Sequence, residues 1–573
     1  MTDALALTEH VAGLSPLTTP IQLLGGSALL AYNVVLLAST WWSALATHAL
    51  VRRLTASTFA AACAGVAFAF APYRTSQLAH MQLYACWWLP VALLALHTYL
   101  DEGRLRWLAV FGIAWLLQAL TNGYMMFFFP LLIGAWIVWF TPWRTDARKG
   151  LTIAAAWGLF SLPLLPVLLE YSRVQARLGL HRDRFETVFY SADWTSFLSV
   201  TPVLRFWKLL APATTEGYLF PGVTALVLIL LGAAARLRSR TFAFYALFAI
   251  LSAWLCIGPS REPWTIAALW HPYNALMWLP GFSGLRVPAR FFMLTALCLA
   301  IAAGLAVAHL RRFVRTPALW GCLVFAGLAV DGAIDGMPLG FPPDKLAFTD
   351  RQGRVLALPF DDSYATIRLM YQSMFHRLPV VNGYAGYIPP HADVIGWALG
   401  RRDPTILGEL RRGAPLYVIV TRSDETAGWT RFVESQPGAE LLGVSGGGRL
   451  FRLPPAGFSR DAKLGPALTL RSVAMTSDSL LVDLGTPQAV RWVDLRTFGF
   501  MTRLPQTVRI EASADEVRWT PVYDEWPGGA ALVGALADPR ATPLRLQLPD
   551  VSLRYLRINT PRLGPGAVTI YGP

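Results

Sequence analysis

Through the first 334 residues apolar runs follow one another at roughly 27–50, 57–72, 82–100, 106–120, 124–141, 151–169, 219–235, 241–258, 290–310 and 317–334. Runs of this length and polarity predict about ten membrane helices, the shorter ones tilted or half-buried. Beyond about residue 340 the hydropathy falls, Gly, Pro and charged residues rise, and a soluble region begins.

Its first part, about 345–458, has short β-rich runs in RVLALPF (354–360), PLYVIVT (415–421) and GRLFRLP (448–454). Between them Ala392–Leu399 and Pro404–Arg411 read as helical, which predicts a small α/β or α+β unit. The glycine-rich GVSGGGRL (443–450) leads into a strand and reads as a hairpin turn. The second part, about 464–573, alternates apolar and polar residues in SLLVDLG (479–485), VRWVDLRTF (490–498), TVRIEAS (507–513), PLRLQLP (543–549) and LRYLRINT (553–560). Strands with turn signals between them predict a β-sandwich that folds alone from about Leu464, with loop residues such as Trp526 and Arg503 as candidate sugar contacts. The expected organisation is therefore a membrane domain over 1–340, an α/β domain over 345–458 and a sandwich over 464–573.

Composition agrees with a membrane protein: 54% of the 573 residues are hydrophobic and only 15% charged. This excludes a disordered chain, and the length excludes a single globular domain. The five cysteines fall in or beside apolar runs, which argues against a disulfide-stapled secreted module. The 45 Arg against 4 Lys suggest a GC-rich bacterial genome.

A net charge of +14 raises nucleic acid as a partner, but its location decides otherwise. Residues 1–334 carry net +11 and residues 335–573 only +3. Thirteen basic residues lie in five short loops, at Arg52 and Arg53, Arg104 and Arg106, Arg144, Arg148 and Lys149, Arg236, Arg238 and Arg240, and Arg311, Arg312 and Arg315. They occur at every second turn, so the positive-inside rule makes these loops cytoplasmic. The connections 170–218 and 259–289, and the C-terminal region, then face outside. Parity places the N-terminus outside too, although residues 1–20 have no signal-peptide character. The expectation is a start site inside a longer gene, one helix missing upstream, with a genuine N-out protein as the alternative.

Several stretches resemble bacterial polytopic membrane proteins of the GT-C glycosyltransferase superfamily: LTEHVAGLSPLTTPIQLLGGSALLAYNVVLL (7–37), FAPYRTSQLAHMQLYACWWLPVALLAL (70–96), YSADW (190–194), LFPGVTALVLILLGA (219–233) and LPGFSGLRVPARF (279–291). FHRLPVVNGYAGYIPP (375–390) resembles the soluble region following the helices in that group. LLVDLG, TVRIEASADEVRW and RYLRI resemble the discoidin, or galactose-binding-like, factor 5/8 C-terminal domain. The first resemblance implies a bacterial inner-membrane enzyme that transfers a sugar from a polyprenyl-phosphate donor to an envelope glycan or lipid on the outer face. It also implies an acid on the first outer loop as base or metal partner. Most of that loop precedes Met1 here, so the catalytic carboxylate is expected to be absent if the chain is complete. A divalent metal is the one cofactor the resemblance suggests, and the sequence has no motif for one.

Sugar transfer to a hydroxyl needs a carboxylate to take the proton and cations for the departing phosphate. The outer loops offer eight acids, Asp3, Glu9, Glu170, Asp183, Glu186, Asp193, Glu216 and Glu262. Glu9 and His10, on the remnant of the first outer loop, read as a base and acceptor-binding pair or as a helix-start signal. Tyr73, Arg74 and His80 occupy the second outer loop, where a guanidinium suits a lipid-linked phosphate or anchors to headgroups. Arg286 and Arg290 precede a helix started by Pro288, an anion site or an interface anchor. In the 170–218 connection Arg184 is a further substrate-binding candidate and Asp193 the alternative catalytic acid. Asp331 and Asp335, near the last span, read as interfacial. A scarcity of acids and lysines in the other spans counts against an ion-coupled transporter. The competing reading is a non-enzymatic polytopic protein that binds glycans or moves a lipid-linked sugar.

Overall fold

The computed structural model describes residues 4–573 apart from 211–216, 263–268, 338, 347, 349–351, 422–425, 446–447, 458–463, 477–478, 497–506 and 560–567. Asp3, Glu216 and Arg503, and the ends of two expected strands at 497–498 and 560, lie outside the described residues. Contacts divide the chain into two units: Glu9–Glu170 with His181–Leu339, and Met1–Thr8 with Tyr171–Leu180 and Gly340–Pro573.

In the first unit each apolar run carries a helix, and the polar residues at its edge set where that helix starts. Ser27, Ser57, Asn122 and Ser239 accept the backbone N–H of Leu30, Ala60, Met125 and Phe242, which supplies orphan donors at the N-termini. Among the described residues, five segments are long and apolar enough to cross a membrane: Ala28–Thr55, Met81–Glu102, Gly123–Phe140, Ala147–Leu178 and Pro288–Phe313. The helices Thr58–Ala69, Arg106–Thr121, Val223–Ala234, Arg240–Leu255 and Pro317–Gly332 have 12 to 16 residues. At ~1.5 Å per residue they reach ~18–24 Å, less than a ~30 Å hydrocarbon core. Except at 106–120, the apolar runs include flanking residues that do not continue the helix.

The helix Phe292–Leu310 is apolar all round and buried along nearly its whole length, which makes it the centre of this unit. Neighbours approach it closely because its side chains are small. A Cβ at Gly304 would stand 2.8 Å from Ala64 Cβ and 2.9 Å from Val51 Cγ1. Such contacts hold helices together where lipid is no more polar than the side chains. Gly304→Leu is expected to overpack this crossing by ~1–3 kcal/mol or more. It should lower the thermal unfolding temperature of the detergent-solubilised chain, whereas Leu299→Ala, at a partly buried position, should have less effect.

In the second unit β1 (Arg354–Leu358), β2 (Leu416–Thr421), β3 (Glu440–Ser445) and β4 (Gly448–Leu453) form a sheet in the order β1-β2-β4-β3, with only β1 and β2 parallel. The helical expectations fall on Pro390–Gly400 and Pro404–Leu410. Further on, β5 (Ser472–Met475), β6 (Leu480–Arg496), β7 (Val508–Ser513), β8 (Thr520–Glu525), β9 (Pro543–Asn559) and β10 (Val568–Tyr571) form one six-stranded antiparallel sheet. Four of the expected strands join into two here. From Leu480 to Arg496 the described parts of SLLVDLG and VRWVDLRTF belong to β6, and from Pro543 to Asn559 those of PLRLQLP and LRYLRINT belong to β9. The turn residues between them bend the strands without ending them, because the β6–β9 register shifts between Asp483 and Gln488 and again between Val490 and Trp492.

The two sheets contribute to one hydrophobic cluster that includes Leu356, Val418 and Phe451 together with Val482, Leu546 and Ile558. The helix Gly528–Ala537 packs on the helices Pro390–Gly400 and Pro404–Leu410 and on β9. Asp403 caps Pro404–Leu410 through the Thr405 N–H at 2.8 Å and accepts the Gly528 N–H at 2.7 Å. A Cβ at Gly528 would stand 2.3 Å from Asp403 Oδ2, so glycine alone admits that contact.

Candidate functional site

Asn122 ends one membrane helix and caps the next, leaving the first backbone N–H groups of Gly123–Phe140 open to a ligand. The Glu9 carboxylate takes that place: Gly123 N–H donates to Oε1 at 3.1 Å. The Tyr124 backbone and the Gln82 side chain lie close enough to the carboxylate to favour its charged form. A Cβ at Gly123 would stand 3.4 Å from Oε1, so the missing side chain leaves the carboxylate its room. Glu9 Oε2 is closed off from solvent.

Arg290 lies in the turn Pro288–Phe291 that leads into the central helix, with Pro288 at its first position. It is 5% exposed, and its guanidinium rests over the Tyr124 ring, 4.5 Å from the centroid. Burial pushes the Glu9 carboxyl above the ordinary carboxylate range, outweighing the attraction of Arg290 and the polar groups of Gln82, Gly123 and Tyr124. Such a carboxyl holds its proton to higher pH than an exposed one.

Two more arginines belong to the same neighbourhood. Tyr124 is within electrostatic reach of Glu9, Arg290, Arg286 and Arg182. Arg182 donates to Glu186 Oε1 at 2.6 Å and to the Gly284 carbonyl at 3.0 Å. The Arg286 guanidinium approaches the same Glu186 oxygen at 3.7 Å and covers the Tyr190 ring at 4.8 Å. Tyr124 thus lies within electrostatic reach of the Glu9 carboxylate and of three guanidiniums, two of which also hold Glu186.

Of the sequence candidates, Glu9, Arg286 and Arg290 all lie within electrostatic reach of Tyr124. Arg182, Gln82, Gly123 and Tyr124 were not singled out; the only local signal was the Asn-Gly-Tyr helix start at 122–124. His10 follows Glu9; its Nδ1 accepts the Ala12 N–H at 3.2 Å, and burial lowers its pKa, favouring neutral imidazole. Tyr73 is buried edge-on to Phe292, with centroids 5.1 Å apart. His80 precedes the short helix Met81–Tyr84, which carries Gln82.

Arg74 is 1% exposed and points inward. Its guanidinium donates to the Tyr84 carbonyl at 3.0 Å and to Cys86 Sγ at 2.6 Å, between the Phe68 and Tyr84 rings. It ties down the helix that presents Gln82 and makes no described contact with Glu9, Arg286 or Arg290. Arg184 donates to the Ser260 carbonyl at 2.9 Å and to Asn274, fastening one loop to another. Asp193 forms a capping box with Ser196 at the start of Trp194–Leu198, and its hydrogen bonds from Thr195 and Ser196 hold its pKa below the usual value. Asp331 is buried and accepts the Val223 and Thr224 N–H groups at 3.2 and 2.7 Å, which caps the helix beginning there. Asp335 pairs with Lys208 and, at 4.0 Å, with Arg205.

A carboxyl with a raised pKa beside fixed cations can take a proton from a hydroxyl while the cations face a leaving anion. Among the described residues no group of three or more His, Cys, Asp or Glu side chains is placed to hold a metal ion.

No family model and no curated protein matches the chain. Among solved structures it is similar to the arabinofuranosyltransferase AftD from Mycobacteria. The identity is 12% over 96% of this chain and 53% of that one, with a TM-score of 0.45. Two classes of an AftD variant give 13% and 12% identity, each over 97% of this chain and 55% of the other, with TM-scores of 0.49 and 0.46. The chain spans about half the length of the solved chains it matches.

Proposed function

We propose that this membrane protein is a glycosyltransferase of GT-C type that moves a sugar from a polyprenyl-phosphate donor to a hydroxyl of an envelope glycan or lipid. The observation that carries the reading is the Glu9 carboxylate on a helix N-terminus, close enough to Arg290 to feel its charge, with Arg286 and Arg182 within electrostatic reach of the adjoining Tyr124. The motif resemblance along residues 7–390 supports it independently. In this reading Glu9 takes the acceptor hydroxyl proton as the acceptor oxygen bonds to the sugar's anomeric carbon. The bond from that carbon to the donor phosphate breaks, and the phosphate leaves with its electron pair toward the arginines. A guanidinium suits that position because it supplies paired hydrogen bonds as well as charge. The discoidin-like character of the terminal sheet belongs to the same reading.

Purified full-length chain in proteoliposomes, given radiolabelled polyprenyl-phosphate sugars and envelope glycan, tests the proposal directly. Label moving into glycan with release of polyprenyl phosphate is the expected result. Binding of the donor without turnover by any sugar would favour a lipid-sugar carrier and overturn the enzyme reading.

The reading also needs the C-terminal region outside the cytoplasm, in the bacterial inner membrane. Alkaline phosphatase fused after Pro455 is expected to be active and a fluorescent protein at the same point dark. The reverse pair of results would remove the topology.

A further inference from the structure

Away from the Glu9 cluster, the start of the helix Thr58–Ala69 and the start of Pro317–Gly332 leave a groove of about 490 Å³ between them. Its walls are largely apolar: Phe59, Trp320 and Phe325, with Phe59 edge-on to Phe325 at 5.8 Å. Gly321 forms the floor, where a Cβ would stand 3.1 Å from the Phe59 ring. One end is cationic. Arg311 lines the groove, and Arg312 and Arg315 follow it, all three exposed. None of the three has a carboxylate partner among the described residues, unlike Arg53, Arg104 and Arg106, which pair with Asp101 or Glu102 at another basic loop.

An apolar slot between membrane helices that ends in unpaired guanidiniums has the polarity of a phospholipid: hydrocarbon along the slot, phosphate at its mouth. We propose that this groove binds one anionic phospholipid of the surrounding bilayer, its acyl chain against Phe59, Trp320 and Phe325 and its phosphate on Arg311 with Arg315. The charge selects the occupant, since a zwitterionic lipid presents its own cation to the same arginines. The site is separate from the proposed donor site and serves to hold the Thr58–Ala69 and Pro317–Gly332 helices together at the basic end of the unit.

The test uses delipidated full-length chain in detergent, titrated with phosphatidylglycerol, phosphatidylcholine or polyprenyl phosphate and read by native mass spectrometry. One phosphatidylglycerol is expected to be retained more tightly than phosphatidylcholine. Replacing Arg311 and Arg315 together by glutamine should weaken it by about fivefold per arginine. Ala318→Trp, which fills the groove from an exposed lining position and leaves the arginines in place, should also weaken it. Cys322, the one exposed cysteine, lines the groove and needs no substitution to report on it. Its reaction with a maleimide in the unmodified chain should slow when phosphatidylglycerol is added and not when phosphatidylcholine is. If Ala318→Trp leaves retention intact while the arginine variant loses it, the lipid adsorbs to charge alone and the groove assignment is wrong. Unprotected Cys322, or tighter retention of polyprenyl phosphate than of phosphatidylglycerol, would equally overturn it.

Discussion

Replacing Glu9 by glutamine is expected to reduce sugar transfer by about 10²–10⁴-fold, the usual contribution of a positioned general base. Glutamine keeps an oxygen for the Gly123 N–H, so the helix start and protein level should survive while the proton acceptor is lost. The pH dependence makes this specific. The carboxyl is an effective base only when ionised, and burial lifts its pKa above the ordinary 4.5, so transfer should rise with pH along a limb lying above that value. The glutamine variant should lose that limb. Stability runs in the opposite sense. A carboxyl whose pKa is higher folded than unfolded binds its proton more tightly in the native state, so its contribution is full below the unfolded value and lost as pH rises through the folded one. Glu9→Gln should therefore unfold at the same or a higher temperature than the parent at neutral pH. Equal transfer by the two proteins at matched membrane abundance would exclude Glu9 as the base.

Arg290→Ala is expected to lower kcat/KM for the lipid-linked donor by about ten- to a hundredfold. The lost charge-assisted contact is worth ~1.5–3 kcal/mol, and ~1.4 kcal/mol is a factor of ten. A second effect accompanies it. Arg290 is the cation that holds the Glu9 pKa down against burial, so without it the limb should move to still higher pH. Arg290→Lys keeps the charge but not the flat contact with Tyr124 or the paired donors, and should recover the pH limb more fully than the rate. A merely structural arginine would change the amount of folded protein and leave the limb where it was. Arg74→Ala is a useful contrast, since that guanidinium holds the Tyr84 carbonyl among aromatic rings and should act through folding.

Much of the architecture was legible before any coordinates, because hydrophobic periodicity is a local property. The helix at 290–310 and the alternation of buried and half-buried residues from Leu480 to Leu484 follow from adjacent residues alone. Strand ends were less legible. Gly485 and Pro487 look like a turn, and only pairing along β9 shows the strand continuing past them. The small helix Gly528–Ala537 carries weak strand and helix signals alike, and its place comes from Asp403 and Thr405, more than a hundred residues away.

The chain by itself determined where apolar segments lie, which loops carry the positive charge and which residue types were available for proton and phosphate chemistry. It did not determine which charges are used by the fold. Asp193, Asp331 and Glu9 all accept N–H groups at helix starts, yet Asp193 is held by Thr195 and Ser196 of its own turn while Glu9 reaches a distant helix and feels the charge of Arg290. Arg74 is as basic as Arg290, yet it is held by a carbonyl and two aromatic rings. Only the tertiary structure sets Glu9 beside Gly123 and Arg290. The role of an ionisable group depends on its desolvation and on partners a few ångströms away, and for Glu9 two of those partners, Gly123 and Arg290, lie more than a hundred residues along the chain.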